Sequence, residues 1–168
     1  MEHPERKANR LKGYDYGSVG TYFITVCIRD RALMLWKPET YQIVLQRMQA
    51  FLPVGADTIR PLLSDYGKAV DQAIREIECH YPEITIDSYV IMPNHVHILI
   101  QASAMSKPIS TIVGQMKRSA SMMIGEGIWQ KSFYDHIVRD ENDLQRIRQY
   151  IENNPAHWAE DRYFIHMS

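Results

Sequence analysis

The stretch that most restricts how this chain can fold is Tyr89–Gln101, which reads Tyr-Val-Ile-Met-Pro-Asn-His-Val-His-Ile-Leu-Ile-Gln. Two apolar runs flank a Met-Pro-Asn corner, and so short a connection predicts two strands paired antiparallel. Side chains alternate between faces along a strand, so His95 and His97 project from one face about 7 Å apart at the backbone. Val96, Ile98 and Ile100 then fill the opposite face and can enter a core. Two adjacent imidazoles with aliphatic residues behind them make half of a metal site. The rest of the chain has to supply the other half.

A chain of 168 residues is long enough for one domain with a real core, and 45% hydrophobic with 23% charged residues is an ordinary globular balance. The expected organisation is a single domain over 1–168, with a basic arm (1–20), a catalytic core (21–158) and a tail (159–168). No stretch approaches the length of a membrane span, and the first thirty residues lack an apolar signal core, so export is not expected. Cys27 and Cys79 lack the spacing of a zinc knuckle or a redox pair, which favours a cytoplasmic protein with reduced thiols. The net charge of −1 carries no hint of a polyanionic partner, although the N-terminal arm and the segment from Lys107 to Arg118 are locally basic.

The order of patterned segments predicts the fold. Thr21–Arg29 is rich in β-branched and aromatic residues and apolar on both faces, as a central strand would be. Thr40–Leu52 can form a helix ahead of Pro53, although a strand is also compatible with it. Val70, Ala73, Ile74, Ile77 and Tyr81 mark one face of a helix that begins at Ser64 or Asp65 and ends at Pro82. Two strands follow, over 83–92 and 95–101. A second helix is expected over 107–124, an extended aromatic segment over Ile128–Arg139, and a third helix over Glu141–Asn153 with Asp140 as cap. This β-α-β-β-α-β order predicts an α+β, ferredoxin-like split β-α-β sandwich: an antiparallel sheet with helices on one face and an extra C-terminal helix.

That last helix ends in Tyr150-Ile-Glu-Asn-Asn-Pro155. Tyr150 and Asn154 are four residues apart and share a face. The residue before a proline resists the helical region, which places Asn154 at or just past the final turn. An amide oxygen there can be a third ligand and the phenol a nucleophile. The same spacing also suits a half-buried core tyrosine followed by a helix stop.

Three blocks in order decide between these readings: Met92-Pro-Asn-His-Val-His97, Ile128-Trp-Gln-Lys-Ser-Phe-Tyr-Asp-His-Ile-Val-Arg139 and Tyr150-Ile-Glu-Asn-Asn-Pro155. Together with Arg10-Leu-Lys-Gly-Tyr-Asp-Tyr16 and Asp65-Tyr-Gly67, they resemble the single-tyrosine HUH transposases of bacterial insertion sequences, above all the REP-associated tyrosine transposases. The similarity runs from about Arg10 to Trp158 and is weakest over 36–59. The resemblance implies a metal-dependent endonuclease and strand transferase for single-stranded DNA, working through a covalent 5′-phosphotyrosine. His95 and His97 match the paired metal ligands, Tyr150 the nucleophile, and Asn154 the polar ligand one turn later, where relatives often carry glutamine. The implied cofactor is Mg²⁺ or Mn²⁺, and a His-His-amide donor set suits Mn²⁺ better.

In that light Arg10, Lys12, Lys117, Arg118, Trp129, His136 and Arg139 are candidate DNA contacts, with aromatic rings available for base stacking. The expected partner is single-stranded DNA carrying a hairpin or palindromic repeat, in a bacterial cytoplasm at the nucleoid. The REP-associated likeness favours a monomer over a homodimer. A histidine-triad hydrolase would need a further histidine at the alternate position held by Leu99, and an amidohydrolase barrel would need a longer chain. The competing reading is a non-cleaving nucleic-acid-binding module on the same scaffold. The presence of all four site residues weighs against it.

Overall fold

The computed structural model describes residues 19–49, 61–104 and 106–164. Arg10 and Lys12 lie outside these. Four strands, β1 (Gly20–Cys27), β2 (Ile84–Ile91), β3 (His95–Ala102) and β4 (Tyr134–Ile137), form one sheet in the order β2-β3-β1-β4. Every neighbouring pair is antiparallel, with His97 opposite Thr25 and His136 opposite Phe23. The expected α+β sandwich is the fold observed. The helices are α1 (Pro38–Gln49), α2 (Asp65–His80), α3 (Ile109–Ile124) and α4 (Glu141–Asn153).

Strand alternation divides the sheet into two different faces. Tyr22, Ile24, Val26 and Ile28 of the β1 segment and Val96, Ile98, Ile100 and Ala102 of β3 pack with the apolar stripes of α2 and α3 in the larger core. The opposite face carries Cys27, Leu99 and Val90 against Ile147 and Ile151 of α4, Trp36 and Tyr41 near α1, and Trp158 and Tyr163 from the C-terminal segment. The histidines point to this second face. β2 keeps its phase through a bulge between Ile86 and Ser88, which leaves Asp87 as the extra residue. Ile84 and Ile86 before the bulge, and Tyr89 and Ile91 after it, therefore all belong to the larger core. Asp87 accepts from Gln101 Nε2 at 2.9 Å and pairs with Arg148 of α4 through both Nε and a terminal nitrogen. That pair pins the last helix to the sheet two residues before Tyr150.

Local boundaries follow their caps. Ser64 Oγ accepts from Gly67 N at 3.1 Å to start α2, and Asp140 Oδ1 accepts from Asp143 N at 2.8 Å to start α4. Gly125, at φ 89°, closes α3 in the left-handed conformation that glycine adopts freely. The expected strand over Ile128–Arg139 is mostly loop. Only Tyr134–Ile137 joins the sheet, with one isolated bridge from Trp129 to Ile28. Its aromatic residues favour a longer strand, but Trp129 Nε1 instead donates to the Lys117 carbonyl at 2.9 Å, holding the segment on α3.

Gly67 shows how closely α2 approaches the chain before it. A Cβ there would stand 2.1 Å from the Leu35 carbonyl oxygen. We expect Gly67→Ala to destabilise the fold by about 1–3 kcal/mol through overpacking against backbone. Thermal melts followed by circular dichroism would show a lowered Tm with unchanged secondary structure below it.

Candidate active site

β3 delivers both histidines to the second face, each essentially inaccessible to solvent at 0% and 1%. Their Nε2 atoms are 3.0 Å apart, and Asp161 Oδ2 lies 3.8 Å from His95 Nε2. Among the described residues, His95, His97 and Asp161 form a cluster in which one donor atom from each lies within 4.8 Å of the others. Tyr150, on α4, brings its hydroxyl to 3.3 Å from His97 Nε2 and 3.4 Å from Asp161 Oδ2. Asn154 is buried, and its Oδ1 has no hydrogen-bond partner. Its amide neighbours both Tyr150 and Asp161. Asn154 is the C-cap of α4 with helical φ −54° and ψ −43°. The expected pre-proline escape from the helical region does not occur, so the helix geometry that puts Tyr150 and Asn154 on one face persists through it.

The proton on His95 is set by a chain of hydrogen bonds that begins just past β1. Just past this strand, Asp30 and Arg31 adopt consecutive left-handed conformations at φ 55° and 54°. The Arg31 carbonyl accepts from Asn94 Nδ2 at 3.2 Å, and the Tyr163 carbonyl accepts from the same nitrogen at 2.9 Å. Both amide protons of Asn94 are thereby used, so its Oδ1 must face His95 Nδ1, 2.9 Å away. An amide oxygen only accepts, so His95 carries its proton on Nδ1 and presents a lone pair at Nε2. Thr25 Oγ1, 2.8 Å from His97 Nδ1, can fix the second ring in the same sense.

Electrostatics keep both rings neutral. Burial, followed by the neighbouring His97 and the cations Arg162 and Arg31, holds His95 well below the ordinary imidazole range. Burial and then Arg162 push His97 down to about 3. Neutral imidazoles need lose no proton to bind a cation. Two nitrogens about 2.1 Å from one ion and at right angles to each other would lie about 3.0 Å apart. The donor set, its Nε2 spacing and the orphaned Asn154 oxygen therefore fit a divalent cation. Burial, followed by the Asp161 carboxylate, raises the Tyr150 phenol above its usual value, and Asn154 and Arg162 partly offset this. Burial also raises Asp161 itself.

Tyr150 is 43% exposed and stands between two cavities of about 630 and about 490 Å³, so a polymer can reach it. The larger cavity is lined in part by His136, and Arg146 and Arg162 line both. Of the other candidate DNA contacts, Arg118 and Arg139 are exposed. Lys117 instead donates to the carbonyls of Gln130 at 2.6 Å and Lys131 at 3.4 Å, so its ammonium is engaged with the loop before β4. Sequence reasoning missed Asn94, Thr25, Asp161 and Arg162. Asn94 lies in the sequence within the Met-Pro-Asn turn and the Met92–His97 block, with no role of its own assigned to it. Asp161 and Arg162 fall in the segment set apart as a tail, whose described residues bring Asp161 and Tyr163 against His95.

A protein with this fold and a buried His-His-carboxylate cluster beside a reachable tyrosine has the parts for metal-assisted chemistry on a polymer. The comparisons identify the class. Residues 60–154 match the family described as "Transposase IS200 like", and the chain belongs to that family of transposases. A protein of Haemophilus influenzae with no described function is 30% identical over 95% of this chain and 93% of its own length. The same organism has a putative REP-associated tyrosine transposase, 23% identical over 84% of this chain and 73% of that protein. The REP-associated tyrosine transposase of Escherichia coli K12 is 25% identical over 82% of this chain and 67% of its own length. The solved structure of a REP-associated tyrosine transposase bound to a REP hairpin superposes with TM-score 0.59 at 21% identity, covering 96% of this chain and 77% of that one. No described helix is long and apolar enough to cross a membrane.

Proposed function

We propose that this chain cuts and rejoins single-stranded DNA through a covalent phosphotyrosine on Tyr150. The observation that carries the reading is the convergence of two lone-pair-presenting imidazoles and a carboxylate, with one donor atom of each within 4.8 Å of the others, on a half-exposed phenol 3.3 Å from His97 and 3.4 Å from Asp161. His95, His97 and Asp161 would hold a divalent cation, Mg²⁺ or Mn²⁺, with Asn154 Oδ1 as a further oxygen donor. Such an ion supplies Lewis-acid stabilisation of the charge that develops on the phosphate oxygens.

The chain's own groups account for the remaining chemistry. The Tyr150 oxygen attacks phosphorus, the Tyr150–phosphorus bond forms, and the phosphorus–3′-oxygen bond breaks, the departing oxygen taking a proton from solvent to become a free 3′-hydroxyl. The phenol is protonated at neutral pH, so its proton must go somewhere, and Asp161 Oδ2 is in hydrogen-bond reach. The retained phosphodiester allows a second 3′-hydroxyl to reverse the step and join strands without an external energy source. The likeness to a REP-associated tyrosine transposase solved on a REP hairpin supports a hairpin or palindromic repeat as substrate, and the proposal takes a monomer at the bacterial nucleoid as the working unit.

The test is to incubate purified chain with a hairpin oligonucleotide bearing single-stranded arms, with Mn²⁺, Mg²⁺ or EDTA. A metal-dependent protein–DNA adduct should form, and peptide mapping should place it on Tyr150. Binding without any adduct under either metal would instead favour the non-cleaving module. Asp161→Asn is expected to keep the fold but to lower the single-turnover adduct rate by about 10²-fold or more, because an amide cannot accept the proton. Rapid-quench kinetics would measure this, and calorimetric titration with Mn²⁺ would show a parallel fall in metal affinity.

A further inference from the structure

The cavity on the β4 side of Tyr150 is larger than a phosphate requires. At about 630 Å³ it falls within the usual range for sites that enclose a small organic ring system. Its walls include an aromatic ring (Phe23), an oriented imidazole (His136) and two guanidinium groups (Arg146 and Arg162). The Phe23 ring stacks on His97 at 5.2 Å and receives Tyr150 edge-on at 6.0 Å, so it adjoins both the imidazole pair and the phenol. The β1–β4 register places His136 directly across from Phe23.

His136 is held in one orientation. Its Nε2 lies 2.7 Å from Asp143 Oδ2, and Asp143 also accepts from Arg146 and, at 3.4 Å, from the Arg139 backbone N–H. These bonds, that from His136 foremost, keep the Asp143 carboxyl down at about 2, so it only accepts. An Nε2 proton of His136 is therefore committed to Asp143, which leaves Nδ1 as the ring atom open to a ligand. Among the described residues nothing bonds to Nδ1, and the side chain is 47% exposed. Arg162 stacks over the Tyr134 and Tyr163 rings at 5.6 and 4.6 Å. It has no carboxylate partner among the described residues.

We infer that this cavity seats one unpaired nucleobase of the DNA strand, beside the phosphate that Tyr150 attacks. The inference rests on the reading of Tyr150 as nucleophile. Phe23 supplies a ring for stacking, the His136 Nδ1 lone pair accepts from an N–H on the base edge, and Arg146 and Arg162 neutralise the flanking phosphates. Phosphate contacts alone carry no sequence information, whereas a fixed acceptor against a base edge does. The cavity thus gives the strand a register: the base must enter before the next phosphate can reach the phenol.

The test measures binding rather than cutting, with every variant in a Tyr150→Phe background so that no strand is consumed. A hairpin oligonucleotide selected on this protein from a pool with randomised single-stranded arms is resynthesised with one abasic site walked through the arms, and affinity is read by fluorescence anisotropy. One arm position should lose about tenfold or more in affinity when its base is removed, with the others changing about twofold or less. Phe23→Leu should erase that penalty. His136→Ala, which leaves the imidazole pair untouched, should keep it but lose the preference among bases at that position. Equal penalties along the arms, a wild-type profile in both variants, or no binding of any hairpin would overturn the inference. A failure of the Tyr150 reading shows separately, as the absence of an adduct between the unmodified chain and the intact oligonucleotide, whatever the binding profile.

Discussion

Tyr150→Phe should abolish the covalent DNA adduct while leaving hairpin affinity within a few-fold of the unmodified chain. The substitution removes one hydroxyl and keeps the ring, whose edge-on contact with Phe23 and packing against His97 position α4 on the sheet. The hydroxyl donates to Asp161 and approaches His97 at 3.4 and 3.3 Å, both polar contacts of the site rather than of the core. Stability should therefore change little. The rate should fall by the large factor that accompanies loss of a covalent nucleophile, on the order of 10⁶-fold in a protease of comparable logic. Denaturing gels that resolve free protein from adduct, over a time course long enough to see slow turnover, measure the loss. Residual adduct would redirect attention to Tyr134, which lines the same cavity from β4 with its ring 41% exposed.

Asn94→Ala should damage the site almost as severely without touching a ligand or the nucleophile. Removing the amide frees His95 Nδ1 from the Asn94 oxygen, so the ring can protonate Nε2 instead and lose the lone pair that faces His97. Outer partners of this kind typically govern 10- to 100-fold in metal affinity. The same change strands the Tyr163 carbonyl, which accepts from Asn94 in the buried interior, and the part-buried Arg31 carbonyl. Leaving buried acceptors unpaired costs about 1–3 kcal/mol. Titration with Mn²⁺ should show the weaker binding, and urea unfolding should show the lost stability. A variant with weakened metal binding and unchanged stability would mean that the two carbonyls find other donors.

The parts of the molecule that sequence made legible are those governed by local periodicity. Alternation along β3 was enough to put His95 and His97 on one face and Val96, Ile98 and Ile100 on the other, and helical spacing was enough to align Tyr150 with Asn154. The bulge left a trace too, since Ile86 and Tyr89 are three residues apart in a strand of period two. What escaped sequence reasoning was whatever depends on partners distant along the chain. Asn94 owes its role to carbonyls 63 and 69 residues away, and no pattern around a Met-Pro-Asn turn announces them. Asp161 and Arg162 sit in a short segment with no periodicity. They enter the site because Trp158 and Tyr163 bury themselves beside Trp36 and Leu99.

The two left-handed residues after β1 have a consequence for engineering. Non-glycine backbone in that region is uphill by roughly 1–2 kcal/mol per residue, less for aspartate than for arginine. Arg31 occupies it while lending its backbone oxygen to Asn94 and its guanidinium to the Tyr163 ring, 5.5 Å away. Of these two interactions, Arg31→Gly would keep the first and forfeit the second, together with the guanidinium's minor part in holding His95 neutral. The conformational burden and the instruction that orients His95 thus reside in the same backbone but are chemically separable. The loop is a place where robustness could be raised without rewriting the reaction centre.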